Sequence, residues 1–249
     1  MSLLEARGLT RAFGSLVAIN DVTFAVEPGE LRAVIGPNGA GKTTFFNLIS
    51  GLFPPSSGSI VFDGRDITRL PADKRVSLGI ARTFQVTEIF PELTVSENLL
   101  IAVESAAGLR LSPWISRATR RLLADRVAEL LSAGGLAGKE ARLVGELSHG
   151  DQRATEILMA LALKPRLLLL DEPTAGMGEQ ETRDVVRLIR KLHRTERLTI
   201  VLIEHDMRVI FHLADRITVL AEGSVLADGA PDAIAANDRV QAAYLGSTH

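Results

Sequence analysis

The sequence contains no cysteine. Disulfide bonds and cysteine-ligated metal are therefore excluded, and a reducing compartment is the natural reading. Charge of one sign is also missing. The 28 lysines and arginines nearly balance the 30 aspartates and glutamates, for a formal net charge of −2, so nothing global argues for nucleic acid as a partner. Long apolar runs are absent too. Stretches such as Leu167 to Leu170 fall far short of a membrane span. The first residues, MSLLEARGLTRAFG, carry charges throughout and lack the apolar core of a signal peptide. No internal repeat or low-complexity tract occurs. The expectation is a soluble chain, or one held at a membrane only by a partner.

What is present is apolar material, 46% of 249 residues, enough for a sizeable core in one α/β domain or one domain with an inserted lobe. The N-terminal third reads as short strands. SLVAINDVTFAV alternates, EPGE is a turn, and LRAVIG (Leu31 to Gly36) is a short apolar run of the buried-strand kind. A helix is predicted from about Lys42 to Ser50, stopped by Gly51 and by Pro54-Pro55. GSIVFDGRDI reads as a strand and a turn. From about Val86 to Leu163 the spacing is helical: Leu123, Val127, Leu130 and Leu131 recur on one face until Gly134-Gly135. The last third alternates again. RLLLLDEP precedes the helix GEQETRDVVRLIRKLHR, LTIVLIEHD precedes MRVIFHLADR, and ITVLAEGSVLADG reads as a hairpin. Strands alternating with helices predict a parallel sheet.

GPNGAGKT (Gly36, Pro37, Asn38, Gly39, Ala40, Gly41, Lys42, Thr43) fits the phosphate-loop pattern at every fixed position, with a strand before it and a helix after it. Glycines let the backbone turn sharply and approach a ligand without a Cβ in the way. The N–H groups so exposed and the positive end of the helix then face an anion. Lys42 can reach the β- and γ-phosphates, Thr43 can ligate Mg²⁺, and Thr44 can add a phosphate contact. The pattern predicts a nucleoside triphosphate site. Farther on, the apolar strand LLLL ends in Asp171 and Glu172. Strand ends of parallel sheets are where ligands bind. Asp171 is a candidate for holding Mg²⁺ through water, and Glu172 for orienting or deprotonating the attacking water.

The heptapeptide LSHGDQR (Leu147 to Arg153) places a serine, a histidine and an aspartate within four positions. A Ser-His-Asp triad needs three converging side chains, and near-consecutive residues at a helix start splay apart. No nucleophile elbow is present either. Ser148 is instead a good N-cap, Gly150 leaves the backbone open, and the helix start is a second anion site in its own right.

Three stretches narrow the choice: RTFQ (Arg82 to Gln85), LSHGDQR before the acidic strand, and IEHD (Ile203 to Asp206) after it. With the phosphate loop and the acidic pair they stand in an order in which the chain resembles the ATP-binding subunits of ABC transporters, from about Leu3 to Gly246. The resemblance implies a phosphate-loop, RecA-like α/β core with an N-terminal antiparallel β part and an inserted helical lobe. It implies a single nucleotide-binding domain over 1–249, with core at about 1–85 and 164–249 and lobe at about 86–163. It makes Gln85 part of the Mg²⁺ shell, His205 the switch histidine that bonds the γ-phosphate, and Phe13 the aromatic that stacks on adenine, with Arg11 and Val17 flanking it. Phe13 as plain core and His205 as a capping histidine are the competing readings. Ser148 and Gly150 would cover the γ-phosphate bound by another subunit, so that two subunits packed head to tail enclose two ATP molecules.

The chain also departs from the family pattern. His149 and Asp151 replace a glycine and a glutamine of the usual signature. Gly178 stands where an aspartate usually touches the partner subunit, so that contact is not implied here. Asp151 beside phosphate is unfavourable if it points inward but favourable for the helix dipole, so it is expected to point away.

The partners implied are membrane permease subunits, a second ATP-binding subunit, identical or related, and an extracytoplasmic binding protein, with the chain on the cytoplasmic face of the cell membrane. VTEIFPELTVSENLLIA resembles the surface that receives the permease, with Ile89, Phe90 and Leu93 as its exposed apolar residues; the competing reading makes its apolar residues lobe core. Arg117, Arg120 and Arg121 read either as a face for anionic lipid or permease, or as a solvated helix face. GIARTFQ, GLRLSPWISRATRR, DEPTAGM, LIEHDM and RVQAAYLG are most similar to subunits that energise uptake of branched-chain amino acids (LivG-type). Urea-type uptake and lipid or lipopolysaccharide export subunits share parts of these stretches. Soluble ABC ATPases of translation usually carry two such domains, and chromosome or repair ATPases a long coiled coil, which the absence of sustained heptads argues against.

Overall fold

The computed structural model describes residues 2–83, 89–109 and 116–245. Two sheets organise them. Strands β1 (Leu4–Phe13) and β2 (Leu16–Val26) pair antiparallel along most of their lengths. These are 10 and 11 residues long, not the short strands the sequence suggests. Register shifts between Ala6 and Leu9 and between Leu9 and Ala12 absorb the breaks in alternation that make them look interrupted.

Strand β3 (Leu31–Ile35) is buried along its whole length, and helix α1 (Lys42–Ser50) follows it directly. Gly51 ends α1 in the left-handed conformation. Strands β4 (Ser57–Phe62) and β5 (Arg65–Asp66) complete the antiparallel sheet in the order β2-β1-β4-β5. Helix α2 (Ala72–Ser77) and strand β6 (Ile80–Thr83) come next. Both escape sequence reading because six and four residues are too few to display a period.

Three helices follow: α3 (Val95–Ala106), α4 (Arg117–Gly134) and α5 (His149–Ala162). Thr94 and Glu97 cap α3 reciprocally, and Ser116 and Ser148 cap α4 and α5 through the backbone N–H three residues on. The predicted face of Leu123, Val127, Leu130 and Leu131 is buried, and Gly135 ends α4. The remainder alternates as expected: β7 (Leu167–Asp171), α6 (Glu179–Glu196), β8 (Thr199–Ile203), α7 (Met207–Leu213) and the hairpin β9 (Arg216–Ala221) with β10 (Ser224–Gly229). Two short helices, α8 (Pro231–Ala235) and α9 (Asp238–Leu245), close the described chain.

The second sheet runs β10-β9-β3-β8-β7-β6, parallel except for the β9–β10 hairpin. Its inner strands β3, β8 and β7 are buried along their whole lengths, as a parallel core requires, whereas the edge strand β10 is only half-buried. Alternate residues of β7 feed two separate apolar clusters. Leu168 and Leu170 pack with α3 to α6, whereas Leu167 and Leu169 pack with α1 and the antiparallel sheet. The phosphate loop, the acidic pair and IEHD therefore leave the sheet at one edge, the C-terminal ends of β3, β7 and β8, with β8 between the other two.

Candidate active site

The phosphate loop is built around two close backbone approaches. Gly36 has φ 152°, and a Cβ there would lie 2.1 Å from the Leu220 carbonyl oxygen. Gly41, at φ 95°, caps α1, and a Cβ there would lie 2.5 Å from the Ala18 oxygen. Only glycine fits either position without displacing backbone. Between them Asn38 and Gly39 are exposed, Ala40 is buried and Pro37 is half-buried. Thr43 is exposed and Thr44 half-buried on the first turn of α1, and no acidic side chain stands in that turn.

Lys42 is buried, and its Nζ donates to the carbonyl oxygens of Gly36 at 2.7 Å and Pro37 at 2.9 Å. Burial lowers its pKa, and the charges of Glu172 and then Asp171 act in the opposite direction. The loop's lysine, the acidic pair and the loop backbone thus share one electrostatic neighbourhood.

Asp171 ends β7 and is 2% exposed. Its Oδ2 accepts from Arg82 Nη2 at 2.8 Å, and the same guanidinium donates through Nη1 to Asn47 at 2.6 Å and Ser50 at 3.1 Å on α1. Glu172 leaves the strand. Its φ of 46° lies in the left-handed region, sparsely populated for a residue with a side chain. That turn, rather than strand alternation, separates the two carboxylates. Glu172 Oε1 lies 2.7 Å from His205 Nε2. His205 is presented by a braced segment. Glu204, buried, accepts through Oε2 from the His205 N–H at 2.9 Å and through Oε1 from the Thr174 N–H and hydroxyl at 3.0 and 2.5 Å. The competing reading of His205 as a helix cap does not hold: Asp206 caps α7.

Phe13 is 44% exposed, which removes the reading of it as plain core. It meets Phe53 edge to face at 5.5 Å, and the Arg11 guanidinium lies 4.6 Å from the Phe13 ring and 4.8 Å from the Phe53 ring. Val17 is exposed nearby on β2. Phe53 carries no motif and was invisible in the sequence.

The signature lies elsewhere. Ser148 Oγ accepts the Asp151 N–H at 3.2 Å, and Ser148 and Gly150 line a cavity with Glu181 and Lys139. Among the described residues, no hydrogen bond joins Ser148 or Gly150 to residues 36–44. One expectation is corrected here: the Gly150 backbone is not open, because its N–H donates to Glu181 Oε1 at 3.3 Å. His149 is exposed, and Asp151 accepts from Lys139 Nζ at 2.6 Å. Gly178 is the N-cap residue of α6.

Gln85 lies outside the described residues. Of the three apolar residues expected at the surface only Phe90 is exposed. Ile89 and Leu93 are half-buried, and Ile89 packs on the core. Arg117, Arg120 and Arg121 are all exposed.

Three contributors were missed from sequence. Arg82 stands within RTFQ, where nothing local supplies it a partner, and Phe53 stands outside every motif. Arg153, the last letter of LSHGDQR, donates through Nη2 to the Asp171 carbonyl at 2.5 Å and through Nη1 to Glu156 at 2.6 Å. Its signal was an arginine on an otherwise buried helix, where a charge needs partners. Tyr244 on α9 adds a further contact. Burial pushes its phenol up to about 12, opposed by a hydrogen bond with the Gly36 backbone.

A divalent cation fits this donor set. Among the described residues, no cluster of three or more His, Asp or Glu is placed to hold a metal. Thr43 and Asp171 supply one hydroxyl and one carboxylate, so the remaining oxygens would come from water and phosphate, as is usual for Mg²⁺.

Residues 19–175 match the family described as ABC transporter, and residues 224–249 match the family described as branched-chain amino acid ATP-binding cassette transporter. The chain is 42% identical over 250 residues to the high-affinity branched-chain amino acid transport ATP-binding protein BraF of Pseudomonas aeruginosa, covering 98% of each. It is 28% identical to an ATP-binding cassette of an ABC transporter solved in its ADP conformation, with TM-score 0.86 over 99% of this chain and all of that one. A dimeric ATP-binding cassette in a post-hydrolysis state with ADP and Pi is 25% identical, with TM-score 0.76 over 92% of this chain and 98% of that one. A phosphate loop and an acidic pair at one sheet edge, joined to this likeness over nearly the whole length, make the chain a member of the ABC transporter family, among its ATP-binding cassettes.

Proposed function

We propose that the chain is the ATP-hydrolysing subunit of an ABC uptake system for branched-chain or other hydrophobic amino acids. The observation that carries the ATPase reading is the 2.7 Å contact between Glu172 and His205 at the sheet edge that also bears the phosphate loop. In this reading Phe13, with Arg11 and Phe53 beside it, receives adenine. The N–H groups of residues 36–44 and Lys42 receive the β- and γ-phosphates, and Lys42 exchanges its two carbonyl partners for phosphate oxygens. Thr43 and Asp171, together with Gln85, would hold Mg²⁺, which would supply positive charge beside the phosphates. Glu172 takes the proton of the water as the water oxygen bonds the γ-phosphorus and ADP leaves, while His205 gives up its Glu172 contact to bond the γ-phosphate.

Ser148 and Gly150 complete the site of a second ATP-binding subunit, and that subunit's signature completes this one. The whole of 1–249 serves as one nucleotide-binding domain, with core at about 1–85 and 164–249. The lobe at about 86–163 passes closure to permease subunits at the cytoplasmic face of the membrane, and an extracytoplasmic binding protein delivers the cargo. The cargo assignment is supported by the likeness to BraF over 98% of the chain and by the match of residues 224–249. Mass spectrometry of proteins co-purifying from membranes tests the assembly. Permease subunits and a binding protein support it, whereas ribosomes or DNA would remove it. Uptake of radiolabelled leucine in cells lacking the gene tests the cargo.

A further inference from the structure

In the first turn of α5 the N–H groups of Gly150 and Asp151 are already engaged. Asp151 donates to Ser148 Oγ at 3.2 Å and Gly150 donates to Glu181 Oε1 at 3.3 Å. Glu181 stands on the first turn of α6, and its other oxygen accepts the Gly178 N–H at 3.2 Å. One carboxylate therefore bridges the starts of two helices. The fit is close: a Cβ on Gly150 would lie 3.1 Å from Glu181 Cβ. The Gly150 N–H and then the Gly178 N–H hold the Glu181 carboxyl below the usual carboxylate range, and the charge of His149 and the Ser148 hydroxyl act in the same direction. Beside it lies a cavity of about 400 Å³ lined by Lys139, Asp184 and Lys191 among others, which gives the side chain room to move.

We propose that Glu181 is a built-in anion that occupies the signature N–H in the separated subunit and withdraws when the partner's γ-phosphate arrives. This rests on the reading of Ser148 and Gly150 as half of a shared ATP site. One N–H cannot serve two anions at full strength, and two negative groups within a few ångströms repel in a partly dry interface. Glu181 thus positions the signature before closure and opposes closure until phosphate displaces it. The Oε2 bond to Gly178 keeps the side chain attached to α6 while Oε1 lets go.

Glu181→Gln isolates the effect, because the amide keeps the size and an oxygen for the Gly178 N–H but removes the charge. The Glu172→Gln chain, alone or with the related ATP-binding subunit that co-purifies with it, is titrated with Mg²⁺ and ATP and followed by sedimentation, with and without Glu181→Gln. The ATP concentration at half-maximal association is expected to fall about threefold or more when the charge is removed. An equal or higher midpoint overturns the proposal. Damage to the fold cannot imitate tighter association, and thermal melting without ATP checks that both variants are folded. Failure of the Glu172→Gln chain to associate at any ATP concentration would remove the shared-site reading, and the proposal with it.

Discussion

Glu172 and His205 meet at 2.7 Å although they leave different strands, and each is held by something other than its partner. Glu172 is turned out of β7 by a left-handed residue conformation, and His205 is fixed through its own N–H by the buried Glu204. Glu172→Gln preserves this shape and removes the carboxylate proposed as the base. Its turnover is expected to fall by about 10² or more while ATP binding is retained. Steady-state hydrolysis beside equilibrium ATP binding checks this, and turnover at the wild-type rate would show that Glu172 is not the base.

Lys42→Ala removes the one buried cation of the phosphate loop. A charge-assisted contact to phosphate is worth about 1.5–3 kcal/mol, so ATP affinity is expected to drop by roughly ten- to a hundredfold. Calorimetric titration with ATP measures it, and unchanged affinity together with unchanged hydrolysis would rule out this loop as the site.

Arg75 is 1% exposed and donates to the carbonyl oxygens of Leu48, Ile49, Ile67, Thr68 and Leu70. Burial lowers its pKa to about 10, which still leaves it charged at neutral pH. Arg75→Ala strands these acceptors and opens a cavity, for an expected loss of about 3–5 kcal/mol in stability. At about 2–4 °C per kcal/mol for a chain of this size, the melting temperature should fall by roughly 6–20 °C.

Asp151 is tied to Lys139 by a partly exposed ion pair. Such a pair contributes at most about 1 kcal/mol. Asp151→Gln restores the family's usual residue and is expected to leave hydrolysis intact or raise it. Abolished hydrolysis in a folded variant would place Asp151 in the chemistry.

Glu181 titrates below its ordinary value because the Gly150 N–H, then the Gly178 N–H, bind its anion. A carboxyl depressed in the folded state stabilises the fold above its unfolded pKa of about 4.5 and loses that contribution as pH falls through the lower folded value. The melting temperatures of wild type and Glu181→Gln should therefore converge below pH ~4.5. A constant difference down to pH ~2.5 would contradict the contact.

Much of this was legible beforehand because several elements obey local rules. The span of α1, from Lys42 to the left-handed Gly51, follows from a phosphate loop at one end and a glycine at the other. The Ser148 cap and the burial of Leu123, Val127, Leu130 and Leu131 follow from capping and period. Illegible parts depend on distant backbone. Nothing near Arg82 announces that it will hold Asp171, 89 residues away in sequence. The open backbone expected at Gly150 was closed by Glu181, 31 residues on, because two helix starts converge there. Strands β1 and β2 looked short because bulges break their alternation while pairing continues.

Helix α1 has one end settled and one end bare. Arg75 bonds the carbonyl oxygens of Leu48 and Ile49 at its negative end, inside the fold, while the first turn at its positive end carries no acidic side chain. On the proposed reading, the phosphates of the nucleotide supply the anion that this helix start favours. Heat tolerance should rise and fall with nucleotide supply: at a hundred times the dissociation constant, a bound ligand adds about 2.7 kcal/mol to the folded state. A cell short of ATP would idle this subunit and soften it at the same time.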